Sequence, residues 1–303
     1  MKIRNSSTSI FSAVSFTAIL LFFLVFSGPV LSVSLCKVYL EQASVISFAI
    51  LGSIIMYAVS GLNLASGGQI YMGMLVFSFC LNSGSPSLPA AVLLLIVFSG
   101  LLAVIHQLFS TVLGVNIIIY TLALQVILCG TGNLILPHLV SNNKIYASIT
   151  LANGIWGIPL WFIIWISVML CFSAYLQFTT TGRSFMIAQV LSGFQDTGSL
   201  YKKVCGISFF AGSLLFSFSS VFLFSKMHGY PVQISSDYSY DILAGMFLGG
   251  CDFRHMVRTA CIGSIAVVLL NAVLLFTGLS IPMESLIKAA VIFIGCYLSQ
   301  RKS

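Results

Sequence analysis

Long apolar stretches run along almost the whole chain, broken at intervals by glycine, proline, asparagine and single charges. A membrane-spanning helix needs about 20 mostly apolar residues, within a range of about 17–25, and on that measure the breaks mark about ten segments. They lie at 10–35, 43–60, 67–82, 88–107, 112–136, 153–177, 204–225, 241–251, 259–279 and 283–299. The third and eighth are short for a full crossing. They are expected to be half-helices or re-entrant pieces, which a bilayer tolerates only where protein buries their backbone. The pattern predicts an all-α polytopic membrane protein, with residues 1–303 forming a single transmembrane domain.

Composition narrows the class. Only 6% of the 303 residues are charged and 59% are hydrophobic, whereas soluble domains carry about 25% charged residues. Soluble enzymes, disordered chains, collagens and free nucleic-acid binders are thereby excluded, and lipid is the expected surroundings. The net charge of +7, from 13 basic and 6 acidic residues, is then an orientation signal rather than a nucleic-acid footprint. With the N-terminus in the cytoplasm, Lys2, Arg4, Arg183, Lys202, Lys203, Arg254, Arg258, Arg301 and Lys302 all fall on the cytoplasmic side. Those nine of the 13 basic residues obey the positive-inside rule, and an even number of crossings puts both termini inside. Segment 10–35 is longer than a signal-peptide core and is expected to be an uncleaved first span. The eight cysteines form no CxxC pair and are expected to be small buried hydrophobes.

Segments two to five and seven to ten form two sets of four that begin on opposite sides, as an inverted repeat would. Each set contains a glycine-rich interruption, Ser60–Gln69 and Gly245–Asp252. Two readings of these interruptions stay open. Broken helices near the midplane leave backbone N–H and C=O groups free for a polar solute. Small residues also permit close helix packing. Lys288 lies inside the last segment, four residues after Glu284 and on the same helical face, so an ion pair between them is expected, with a transport role as the alternative. The loop 178–203 carries a predicted short amphipathic helix at 184–193, suited either to a partner's groove or to the membrane surface. The chain has no GxxxxGK[ST] phosphate loop, no HExxH and no GxSxG, and its four histidines lack ligand spacing. No ATPase site, metal or cofactor is expected. Few carboxylates lie within the segments, which argues against a relay of buried acids.

Several blocks, taken in order, resemble the permease subunits of bacterial ABC importers of the ribose and branched-chain amino acid type. Ser60–Gly68 reads SGLNLASGG and resembles a GGIDLSVGS-type motif, with Asn63 at the acidic position. Ile118-Ile119-Tyr120-Thr121-Leu122 is similar to an fIvTL block, and Thr181-Gly182-Arg183 to the TrfGR that opens a coupling loop. Gly206-Ile207 follows that loop as the family's GI does, and Tyr240–Ala244 with Gly249-Gly250 resembles yeLdaIAavvlGG. Where the family usually carries GgNpeAA, this loop reads Val190-Leu191-Ser192-Gly193-Phe194.

The resemblance covers about residues 43–299 and implies a set of partners. Two permeases, as identical copies or paralogues, would enclose a pore in the bacterial inner membrane. ABC ATPase subunits would bind beneath it, and an extracytoplasmic solute-binding protein would deliver the solute. Residues 178–203 would be the cytoplasmic coupling loop, with Gly182, Arg183, Phe185, Gln189 and Phe194 meeting the ATPase. Asn63, Ser66, Gln69, Asn116, Thr121 and Gln125 would line the path. The expected cargo is a small polar solute, first a simple sugar, with nucleosides, branched-chain amino acids and other small metabolites as alternatives. An ATP-independent secondary transporter and a non-transporting scaffold are the competing functional classes.

Overall fold

A computed structural model describes residues 15–17, 19–20, 23, 33–82, 88–141, 160–180, 182–183, 198–227, 237–253, 255–278 and 280–300. Among these residues the secondary structure is helical throughout, without strands. The helices are α1 (Val33–Val59), α2 (Ser66–Asn82), α3 (Leu88–Gln107), α4 (Ile117–Ser141), α5 (Leu160–Phe178), α6 (Gly198–Lys226), α7 (Asp237–Leu248), α8 (Met256–Phe276) and α9 (Ile281–Gln300), with a π-helical turn at Leu108–Val112. Five of them are long and apolar enough to cross a membrane: α1, α3 with its π turn, α4, α6 and α8. The protein is an all-α polytopic membrane protein.

Segments two to ten of the sequence pattern each correspond to one helix. The largest boundary shift is in α1, which begins at Val33 rather than at 43. A count of apolar residues stops at Lys37 and Glu41, but a helix can run past the apolar layer, and Lys37 is exposed. Most of segment 10–35 lies outside the described residues. Within it, residues 15–17, 19–20 and 23 are helical.

The chain forms two compact units. The first comprises residues 1–54 and 240–303. In it Phe23 packs on Leu269, Ala272 and Val273 of α8, and meets Tyr39 edge-on at 5.7 Å. Helices α7 and α8 approach closely through glycine. A Cβ on Gly263 would overlap the Gly245 carbonyl, and one on Gly249 would strike the backbone of Thr259. The second interruption therefore follows the close-packing reading. Small residues bring backbones together where lipid supplies no hydrophobic drive between helices. Cys251 then turns the chain at φ +49°, and its N–H donates to Met246 O at 3.3 Å.

The second unit comprises residues 55–239. Here α2 packs against α3, α4 and α6, and α3 against α6. Faces are sorted as lipid demands. On α3, Leu93, Val97, Leu101 and Val104 are exposed, while Leu95, Ser99, Leu102 and His106 are buried. On α4, Thr121, Gln125 and Leu128 face inward, while Ile119, Leu122 and Val126 face out. Both helices turn large aliphatic side chains outward and include polar groups on the protein side. Hydrocarbon accepts the first and penalises the second. Ser99 Oγ and Ser217 Oγ, 2.7 Å apart, join α3 to α6.

The Gly245–Gly263 approach makes one expectation direct. Gly263→Val should destabilise the protein by about 1–3 kcal/mol, the usual cost of overpacking a tight core. A lowered thermal unfolding midpoint in detergent is the check.

Candidate functional site

The best-furnished polar site lies in the second unit, where the chain leaves α1 and enters α2. Helix α1 ends at Val59, Gly61 takes φ +117°, and residues 61–63 have no regular structure before the turn into α2. A non-glycine residue is strained at that φ. Breaking a helix here frees the first N–H groups of α2, which water cannot satisfy inside a membrane.

Side chains satisfy them instead. Asn63 Oδ1 accepts from the Ala65 N–H at 2.9 Å. Thr121 Oγ1 accepts from the Leu64 N–H at 3.2 Å. Gln125 Oε1 accepts from the Gly68 N–H at 2.6 Å, and Ser239 Oγ from the Gly67 N–H at 3.0 Å. Thr121 and Gln125 reach the break from one face of α4, four residues apart as helical periodicity requires. Gly67 and Gly68 are needed because Cβ atoms there would collide with Ser239 and Gln125.

One layer deeper is an uncharged relay. Gln69 Nε2 lies 2.5 Å from His106 Nε2, and His106 Nδ1 lies 3.1 Å from the Tyr120 hydroxyl. With the Gln69 amide donating, His106 carries its proton on Nδ1 and donates to Tyr120. Phe209 of α6 stacks on His106 at 5.4 Å, and Phe109 on Tyr120 at 5.7 Å. Two buried acceptors, Ser66 Oγ and Gln69 Oε1, have no hydrogen-bond partner among the described residues. Buried polar atoms are normally paired, so these two are available to an incoming donor.

The expected path residues thus divide. Asn63, Ser66, Gln69, Thr121 and Gln125 are brought together and buried. Asn116 is exposed and is not part of the cluster. Its Oδ1 accepts from the Ile118 N–H at 3.0 Å, capping α4. A helix start just after a glycine turn at Gly114 calls for such a cap, which accounts for the polar residue. Sequence reasoning missed His106, Tyr120 and Ser239. His106 was legible as the continuation of the inward stripe Leu95, Ser99, Leu102, and Tyr120 as the neighbour of Thr121. Ser239 lies 172 residues from Gly67, and no local signal marks it.

Of the residues expected to meet an ATPase, Gly182 and Arg183 lie within the described residues, and Phe185, Gln189 and Phe194 lie outside them, as does the helix expected at 184–193. Gly182 is buried against the end of α5, where a Cβ would collide with the backbone of Tyr175 and Leu176. Its N–H donates to Thr179 Oγ1 at 3.0 Å. Arg183 is exposed, and its Nε donates to Gln177 O at 3.1 Å.

The expected pairing of Lys288 with Glu284 is corrected. Lys288 Nζ lies 2.7 Å from Asp241 Oδ1, both largely buried in the first unit. Asn271 Nδ2 donates to Asp241 Oδ2 at 3.1 Å. Glu284 is on the first turn of α9 and only half-buried, so the helix dipole and its surroundings already stabilise it. The buried ammonium has greater need of a carboxylate, and tertiary packing supplies it from α7.

Comparison with known proteins settles the class. The model of the family described as "Branched-chain amino acid transport system / permease component" matches residues 37–295. The chain belongs to this family. It is a multi-pass permease subunit of the ribose and branched-chain type of ABC transporter, a transport subunit rather than the ATPase itself. No curated protein and no solved structure matches the chain. The family match includes the α1–α2 break, the α4 stripe, Arg183 and the Asp241–Lys288 pair.

Two outcomes follow for the permease. Gln125→Leu strands the Gly68 N–H and should lower stability by about 1–3 kcal/mol, read as a shifted unfolding midpoint. Asp241→Leu or Lys288→Leu alone should cost about 3–5 kcal/mol by leaving a buried charge unpaired, with much of the loss recovered in the double variant. A double variant destabilised by the sum of the two single losses would show that the pair is not coupled.

Proposed function

We propose that the permease forms the translocation path for a small uncharged polar solute, most consistently a simple sugar, at the α1–α2 break. The observation that carries this reading is the pair of acceptors without a partner among the described residues, Ser66 Oγ and Gln69 Oε1, beside a ring of amide and hydroxyl groups. Hydroxyl groups of a sugar can donate to such acceptors. Arg183, Lys202, Lys203 and Lys226 of this unit stand at helix ends rather than in the cluster, and Asp237 is the first residue of α7. A site of this composition suits neutral solutes better than the zwitterions of branched-chain amino acids. Nucleosides share the neutral polar chemistry and are the second cargo to test.

In this reading the path is completed by a second permease copy or paralogue. ATP is hydrolysed by partner ATPase subunits bound at residues 178–203, and an extracytoplasmic binding protein delivers the solute. The chain lies in the bacterial inner membrane with both termini cytoplasmic, as the basic residues favour. The buried acid Asp241 is paired with Lys288, which supports ATP rather than an ion gradient as the energy source.

Mild solubilisation should retain an ATPase subunit, and uptake of radiolabelled D-ribose or inosine in the source cells should require ATP. Arg183→Glu should weaken retention of the ATPase about tenfold or more, as loss of about 1.4 kcal/mol at an interface would. Uptake that collapses with the ion gradient while ATP stays high would favour a secondary transporter instead.

A further inference from the structure

The end of the coupling loop is joined to the break by a hydrogen bond within the second unit. Tyr201 stands in the first turn of α6, three residues after the helix begins at Gly198. Its hydroxyl donates to Val59 O at 3.2 Å. Val59 is the last residue of α1, so this carbonyl is one of those that a helix C-terminus leaves without an intrahelical partner. The preceding contact at this terminus is local. Ser60 N–H and Ser60 Oγ both turn back to Met56 O, at 2.9 and 3.1 Å. Tyr201 is therefore a long-range tie on the α1 side of the break, spanning 142 residues of sequence.

Helix α6 meets the other side of the same break through Phe209. That ring stacks on His106, which holds the Gln69 amide. Tyr201 and Phe209 are eight positions apart, about 12 Å along a rigid helix. One helix thus grips both flanks of the interruption, by a hydrogen bond at Val59 and by stacking next to Gln69. A displacement at the start of α6 moves both.

We propose that Tyr201 is a positioning residue for transport, transmitting movement of the coupling loop to the α1–α2 break. The proposal rests on the reading that residues 178–203 dock an ATPase. Removing the hydroxyl should leave ATP hydrolysis in place and disconnect it from the break.

The test uses the complex purified with its ATPase. A cysteine replaces Leu62, a half-buried position in the break, and N-ethylmaleimide labelling at that site is quantified by mass spectrometry with and without ATP and vanadate. With Tyr201 intact, ATP and vanadate should change the labelling rate at least about fivefold, the lower end of ordinary coupling between sites. Tyr201→Phe should abolish most of that change while ATP hydrolysis stays within about twofold of the parent, since hydrolysis and coupling are separable quantities. Tyr201→His, which restores a ring N–H donor, should recover part of it. Gln107→Ala removes a separate bond at this end of α6, from Gln107 Nε2 to Lys202 O at 3.4 Å, and should leave the change intact.

A full ATP response in Tyr201→Phe would overturn the proposal. So would an equal loss in Gln107→Ala, or labelling at position 62 that ignores ATP while hydrolysis proceeds. If no ATPase co-purifies, the functional reading itself fails, and that result is seen before any variant is made.

Discussion

The constraint on which the second unit depends is that a helix broken inside a membrane must find partners for its freed backbone groups within the protein. The interruption at Ser60–Ala65 creates that demand, and four side chains meet it: Asn63 locally, Thr121 and Gln125 from α4, and Ser239 from the start of α7. The polar residues of α4 face inward for this reason, and α2 sits among α3, α4 and α6 because each brings something to it. Ser99 and Ser217 link α3 to α6, and Tyr71 OH donates to Asn133 Oδ1 between α2 and α4 at 3.0 Å. Of these helices, α3 and α4 turn large aliphatic side chains outward.

The two glycine-rich interruptions look alike in sequence and differ in chemistry. Around Gly61, Gly67 and Gly68 the glycines let polar side chains reach backbone. Around Gly245 and Gly249 they let one helix backbone press on another, against Gly263 and Thr259. The first kind of break is lined with hydrogen-bonding groups, two of them without a partner among the described residues. The second is a close steric fit. In the first unit, the Asp241–Lys288–Asn271 cluster ties α7 to α8 and α9. A membrane transporter needs both behaviours, since polar cargo requires groups to bind and moving helices require tight surfaces to lean on.

How much of the site was legible follows from how local each signal is. Asn63, Ser66 and Gln69 stand in one motif, and Thr121 and Gln125 repeat at helical spacing, so their membership could be read along the chain. Asn116 carries the same polarity, yet it caps its own helix at an exposed position, because polarity alone does not distinguish a cap from a lining residue. Local spacing marks Lys288 and offers it Glu284 four residues away. The long lysine side chain instead reaches Asp241 on another helix, where burial makes the pairing far more valuable. Helix boundaries from the apolar pattern agree with the structure to within seven residues except at α1, where charges end an apolar count without ending a helix.

Sequence by itself determined the all-α membrane class, the order of the helices, the two interruptions and the family, because apolar run length and short motifs are properties of contiguous residues. Tertiary structure alone decided which interruption is polar and which is packed, which acid neutralises Lys288, and which side chains from distant helices cap the start of α2. It also decided that Tyr201, in the first turn of α6, would hold the end of α1. Those outcomes depend on distances between residues 10 to 172 positions apart, and such distances are fixed by how helices settle against one another rather than by anything written locally along the chain.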